Sequence, residues 1–281
     1  MIPTNYELEF EPLFNNFTFN GIEIITVNLQ RSADLIILDA AELKIKNCHV
    51  IQGAKIIAAK PSLNEKDEKL TIKLAKKIKG KAKLCIEFTG ILNDRLLGFY
   101  KSQYKDKRGK TKYLATTQFE AADARRAFPC WDEPAVKATF DISLLVDKHL
   151  DAISNMPIIS KKTVDSKILY KFGRTPIMST YLLYLGVGEF EYLHGKLRNI
   201  KIRIVTTSST RTKQYIAEVI SHEIAHQWFG NLVTMKWWND LWLNESFATF
   251  MATKIVDKFY PEWDLWDQFL DDAMLQAMSL D

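Results

Sequence analysis

Five consecutive residues, His222-Glu223-Ile224-Ala225-His226, combine two metal-binding imidazoles with a carboxylate able to move a proton. Histidines four apart on a helix are separated by about 400° of turn, which leaves them roughly 40° apart on one face. Imidazoles so placed can reach one metal ion. Glu223 sits beside them without being needed as a ligand, which suits a base acting on water at the metal. A second acidic residue, Glu245, follows His226 with eighteen residues between them. That interval holds a helix end, a loop and one turn of a further helix, so Glu245 can return as third ligand. Two histidines and one carboxylate, with a fourth position left to water, make the donor set of a catalytic zinc site. The related zinc-protease spacing, with Gly three and His six residues beyond the second histidine, fails here. Those positions hold Phe229 and Leu232, which favours the carboxylate. Zinc would lower the pKa of a coordinated water towards about 7 and polarise a carbonyl. Glu223 could then take a proton and deliver it to a leaving amine. The reaction class is amide hydrolysis.

The elements that must hold these residues follow from periodicity. From Tyr6 to about Phe190 the pattern is mostly period two, with strands expected at YELEF, GIEIITVNL, DLIILDA, LTIKLA, AKLCIEFTG, ATFDISLLV, KILYKFG and STYLLYLGVGEF. Phe19-Asn20-Gly21, 64–68 and 107–110 read as hairpin tips. The expected fold is a twisted, two-layer antiparallel β domain. KIRIVTT, Lys201 to Thr207, is the last strand. Helical spacing then takes over in QYIAEVISHEIAHQWFG, with Gly230-Asn231 as its stop. After the aromatic loop MKWWNDLWL, Asn244 is placed to cap a second helix that ends before Pro261. A third helix is expected from Pro261 onward. Trp237, Trp238 and Trp242 read as packing over the metal helix. The class is α+β, with domain boundaries at 1–190 and 191–281.

Composition excludes several functions. The net charge of +4 is too small, and the lysines too dispersed, for a nucleic-acid partner. Cys48, Cys85 and Cys130 are odd in number and read as free thiols of a reducing compartment. The first residues, MIPTNYELEF, carry no basic-then-apolar leader, and no apolar run is long enough for a bilayer. A soluble, cytoplasmic protein without a membrane partner is expected.

The segment HEIAHQWFGNLVTMKWWNDLWLNESFATF closely resembles the gluzincin zinc aminopeptidases, the alanyl-aminopeptidase and leukotriene-hydrolase group. YLATTQFEAADARRAFPCWDEPAVKATF resembles that family's amino-terminal domain signature, and SNMPIIS and TPIMSTYLLYLGVGEFEY its later strands. The resemblance implies a saddle-like β domain followed by a thermolysin-like zinc domain, and removal of one residue from peptides with a free amino terminus. It implies one Zn2+ per chain held by His222, His226 and Glu245, with Glu223 as catalytic acid/base. Gln118 and Glu120 would hold the substrate's free amine, since an ammonium needs a carboxylate and a hydrogen-bond acceptor. Arg125, Arg126, Asp132 and Glu133 are expected to form an ion network that supports the fold.

The sequence departs from the family twice. Only Ser208 to Ser221 separate KIRIVTT from the histidines, where family members carry several dozen residues, including an edge strand with Gly-x-Met-x-Asn. That motif, which helps anchor the amine and pairs with substrate as an added strand, is absent from the chain. The chain also stops thirty-six positions after Glu245 (281 − 245), before the family's transition-state tyrosine and helical carboxy-terminal domain. Apolar faces of the last seventy or so residues should therefore lack partners. Three functions remain open: an aminopeptidase with reduced activity, a non-catalytic truncated form acting as a binding module, or a hydrolase that has lost its requirement for a free amine.

Overall fold

The computed structural model describes residues 2–197, 200–207 and 213–270. It divides into two compact units, Met1–Ser209 and Thr210–Asp281.

The first unit opens with β1 (Ile2–Leu13), β2 (Thr18–Asp39), β3 (Lys44–Gln52), β4 (Lys55–Asn64) and β5 (Lys69–Ile91). There follow β6 (Gly98–Lys105), β7 (Thr111–Gln118), β8 (Lys137–Asp147), β9 (Asp151–Ser154), β10 (Ile158–Val164) and β11 (Lys167–Phe172). β12 (Met178–Ser179), β13 (Leu185–Gly188), β14 (Glu191–Leu197) and β15 (Ile200–Thr206) complete it. One large sheet runs β10-β11-β8-β1-β2-β5-β3-β4, with β12 added against β8. A smaller sheet runs β6-β7-β13-β9, and β14 and β15 form a separate hairpin. All pairings are antiparallel except β1 with β8.

Strand alternation builds the core. Along β1, Tyr6, Leu8 and Phe10 point inward while Glu7, Glu9 and Glu11 face outward, as period two demands. Phe10 and Phe19 from the large sheet meet Phe99 from β6 at ring-centroid distances of 5.8 and 5.2 Å. The aromatic layer between the two sheets is thus the seam of the sandwich.

Two strand expectations change. GIEIITVNL and DLIILDA lie on one strand, β2, and LTIKLA and AKLCIEFTG on another, β5. The charged residues between them shift the register at Leu29/Ala33 and Ala33/Leu35 without ending the pairing, as a bulge does. Phe19-Asn20-Gly21 is not a tip. The turn falls at 14–17, where Phe17 takes a positive φ, and all three residues belong to β2. Gly21 serves packing instead, since a Cβ there would lie 2.3 Å from the Phe88 ring. The tips at 64–68 and 107–110 fall where expected. STYLLYLGVGEF contributes only β12 and β13, separated by a 3-10 turn at Thr180–Leu182.

One core residue contradicts the alternation rule. Glu23 occupies an inward position of β2, is fully buried, and neither carboxyl oxygen has a hydrogen-bond partner among the described residues. Burial pushes its carboxyl well above the ordinary carboxylate value. Between the unfolded and folded pKa values the native state keeps the proton that the unfolded chain releases. Glu23 therefore makes stability fall as pH rises through that window, and its cost is smallest in acid. Replacing Glu23 with Val should raise stability near neutrality by about 2 kcal/mol, the scale of an unsatisfied buried polar group. Urea midpoints in neutral and in mildly acidic buffer check the sign: the gain should shrink in acid.

In the second unit, α1 (Lys213–Ala225) is followed by a turn, then α2 (Leu241–Phe259) and α3 (Leu265–Phe269). α1 ends five residues before Gly230, because the chain turns back on itself as soon as His226 has passed. His226 keeps helical spacing through its N–H bond to the His222 carbonyl, 3.2 Å. Asn244 does not cap α2, which begins at Leu241, with Asp240 in the cap position. The third helix starts at Leu265, after a 3-10 turn at Pro261–Trp263; residues 271–281 lie outside those described. Among the described residues the buried apolar side chains of this unit are Ala225, Ala248, Ala252, Val256 and Leu265. Ile216, Val219, Leu232, Val233, Phe247 and Phe259 are exposed. Trp237 and Trp242 are exposed as well, so neither forms the packed cover expected of it. No helix among the described residues is long and apolar enough to cross a membrane.

Candidate metal centre

His222 lies in the last turn of α1, His226 one residue beyond it, and Glu245 in the second turn of α2. α1 packs against α2, and the buried apolar residues of the two helices are small or short: Ala225 on α1, and Ala248, Ala252 and Val256, four apart, on α2. Small residues let the helices approach closely enough for short side chains to meet. The His222 and His226 rings stand nearly perpendicular, with centroids 4.5 Å apart. Nε2 of one is 2.9 Å from Nε2 of the other. Glu245 Oε2 is 3.3 Å from His222 Nε2, and Oε1 is 3.5 Å from His226 Nε2.

These separations fit a metal. Donors bound tetrahedrally to zinc at about 2.0–2.1 Å lie roughly 3.3 Å from one another. The two imidazole nitrogens lie 2.9 Å apart, and each has one oxygen of the Glu245 carboxylate within 3.5 Å, separations of the size that donors around one zinc ion show. Lone pairs converging in this way repel unless a proton or cation lies among them. His222, His226 and Glu245 are the group found among the described residues with a metal-holding arrangement. Glu223, on the exposed side of α1, makes no hydrogen bond or ion pair among the described residues, which leaves its carboxylate available to substrate or water.

Two further residues touch the histidines of this cluster. Asn244 Oδ1 is 3.0 Å from His226 Nδ1, and Thr249 Oγ1 is 3.3 Å from His222 Nδ1. The signal for Thr249 was its spacing, one helical turn after Glu245. Asn244 gives no such signal, because an amide close to a helix start has the sequence signature of a cap.

Gln118 and Glu120 belong to the first unit. Gln118 ends β7 opposite Gly98 and is exposed, and Glu120, half-buried, follows in the turn after the buried Phe119. Their loop is firmly anchored. Arg125 bonds Asp132 through Nε at 3.0 Å and Glu68 at 3.1 Å. Arg126 bonds Asp123 and Glu68 at 2.8 Å and Glu42 at 2.7 Å. Burial pushes the Asp132 carboxyl up, against the pull of Arg125. The expected ion network exists with one of its two expected acids: Asp132 belongs to it, Glu133 stays exposed outside it, and Glu42, Glu68 and Asp123 join.

A sandwich of β-sheets followed by a helical unit with a two-histidine, one-carboxylate cluster defines a small class of architectures. Residues 2–182 match the Peptidase M1 N-terminal domain, and residues 197–281 match the Peptidase family M1 domain. The chain belongs to peptidase family M1. It is 36% identical to Aminopeptidase M1-D of Oryza sativa subsp. japonica, the match covering 99% of this chain and 39% of that protein. Puromycin-sensitive aminopeptidase of Caenorhabditis elegans is also 36% identical, over 99% of this chain and 37% of the relative. Aminopeptidase 2, mitochondrial, of Saccharomyces cerevisiae is 35% identical, over 100% and 37%. The chain thus spans about two fifths of the length of the curated relatives it matches. The rice alignment runs over 348 positions against a chain of 281 residues, so at least 67 positions (348 − 281) are filled only in the relative.

Proposed function

We propose that the chain is a zinc-dependent metallo-aminopeptidase acting on peptides with a free amino terminus. The observation that carries the proposal is the convergence of His222, His226 and Glu245 at spacings suited to tetrahedral zinc. Zinc, when bound there, would supply Lewis acidity and a lowered water pKa. The chain's own residues supply the rest. Glu223 takes a proton from water and delivers it to the departing amine. Gln118 and Glu120 receive the substrate's ammonium, Glu120 by charge and Gln118 through its amide oxygen. The names of the relatives support exopeptidase rather than endopeptidase action. In this reading residues 1–190 form the amino-terminal domain and 191–281 part of the catalytic one, and the three unpaired cysteines suit a cytoplasmic setting.

Zinc content and hydrolysis of aminoacyl-arylamides test the proposal together. Wild type and Glu223→Gln should each bind about one zinc per chain. Turnover should fall by about 10²–10⁴-fold in the variant, the usual range for a lost general base. Equal turnover in the two proteins would sink the catalytic assignment. The positions filled only in the relative and the absent Gly-x-Met-x-Asn favour one alternative, a zinc-holding binding module without turnover. Full zinc occupancy with no hydrolysis of any free-amine substrate would select it.

A further inference from the structure

The arrangement around His226 carries information beyond the identity of the ligands. Its Nδ1 lies 2.9 Å from the Phe229 carbonyl oxygen and 3.0 Å from Asn244 Oδ1. A carbonyl can only accept, so Nδ1 carries the ring proton, and Nε2 keeps its lone pair on the side facing His222 and Glu245. The same proton fixes the Asn244 amide, which must present oxygen to the ring. Its Nδ2 is thereby turned to Glu245, donating to Oε1 at 3.2 Å. One buried amide thus touches two of the three metal-holding residues.

Asn244 is seated by a glycine from the preceding loop. Gly230 has a φ of +118°, and a Cβ built on it would fall 2.3 Å from Asn244 Oδ1 and 3.0 Å from Cγ. The loop holds the glycine in place: its N–H donates to the Val233 carbonyl at 2.8 Å, and its carbonyl accepts from Thr234 Oγ1 at 2.9 Å. The asparagine could escape an added methyl only by rotating away, and rotation would break its bond to His226.

We propose that Gly230 and Asn244 act as a positioning pair. The glycine leaves a space, and the asparagine fills it to set the tautomer and direction of His226 and the orientation of Glu245. The inference rests on the zinc reading of the site and assigns neither residue a contact with substrate.

A double-mutant cycle read by zinc affinity tests it, using competition with a chelator of known affinity. Asn244→Ala should weaken zinc binding by about 10–100-fold, the usual cost of an outer-shell partner. Gly230→Ala should weaken it comparably, because the methyl displaces the amide. The doubly substituted chain should bind no more than a few-fold more weakly than either single variant, since without the amide the methyl has nothing to displace. Backbone strain at the positive φ would lower metal-free stability equally in both backgrounds, so it cannot imitate that non-additivity. Losses that multiply in the double variant, or single variants within about twofold of wild type, would overturn the proposal. If Gly230→Ala does not fold, Asn244→Asp decides. It keeps an acceptor for His226, should bind zinc more tightly than Asn244→Ala, and should restore the visible spectrum of the cobalt-substituted site; an affinity no better than that of Asn244→Ala overturns the proposal. Failure of wild type to bind zinc would instead defeat the underlying reading, so the two failures are distinguishable.

Discussion

His226→Ala should cost the chain its zinc. Three protein side chains hold the proposed ion, and removing one leaves His222 and Glu245 to act as a two-donor site. Loss of an outer-shell partner alone costs about 10–100-fold in affinity, so loss of a direct ligand should exceed that and reach at least about a thousandfold. The substitution also removes the group to which the Phe229 carbonyl and Asn244 are bonded. Those acceptors then lose a donor in a partly buried site, which adds to the effect. Chelator competition and metal content after buffer exchange measure it, with His49→Ala in β3 as a control that should bind like wild type. A His226→Ala chain that holds zinc as tightly as wild type would mean that the three donors converge for some other reason.

How much of this was legible in the sequence depended on which physical signal each feature used. The core alternation of β1 could be read because Tyr6, Leu8 and Phe10 obey period two without interruption. The pairing of His222 with His226 is legible because helix geometry fixes the direction of residues four apart, whatever the rest of the chain does. Strand ends failed where charge was mistaken for a turn: β2 runs through its polar middle because pairing with β5 continues on both sides of the bulges. Asn244 failed for a related reason. A side-chain amide near a helix start reads locally as a cap, while its actual partners, His226 and Glu245, are chosen by tertiary packing of α1 on α2. Glu23 is ambiguous in the sequence: it is in phase with Ile25, Val27 and Leu29, but Ile22 and Ile24 make the opposite face apolar too, so the run does not say which side meets the core.

The same packing logic sets the largest stability effect expected in the first unit, at Phe10. This ring is fully buried and meets Phe19, Phe88, Phe99 and Phe128 at centroid distances of 6.0, 6.2, 5.8 and 6.3 Å. The contacts with Phe88, Phe99 and Phe128 are edge-on, the geometry aromatic quadrupoles prefer. Four neighbours contributed by both sheets and the 119–134 loop cannot all collapse into the space a truncation would leave. Phe10→Ala should therefore fall at the upper part of the usual range, about 4 kcal/mol. Domains of this kind are stable by only about 5–15 kcal/mol, so the variant should lose a quarter or more of its stability. Phe10→Leu keeps most of the volume but none of the edge contacts and should cost about 1.5 kcal/mol. Urea unfolding followed by far-ultraviolet circular dichroism separates the two substitutions. A cost for Phe10→Ala no greater than that for Phe10→Leu would show that the sandwich seam repacks and that this ring is not its centre.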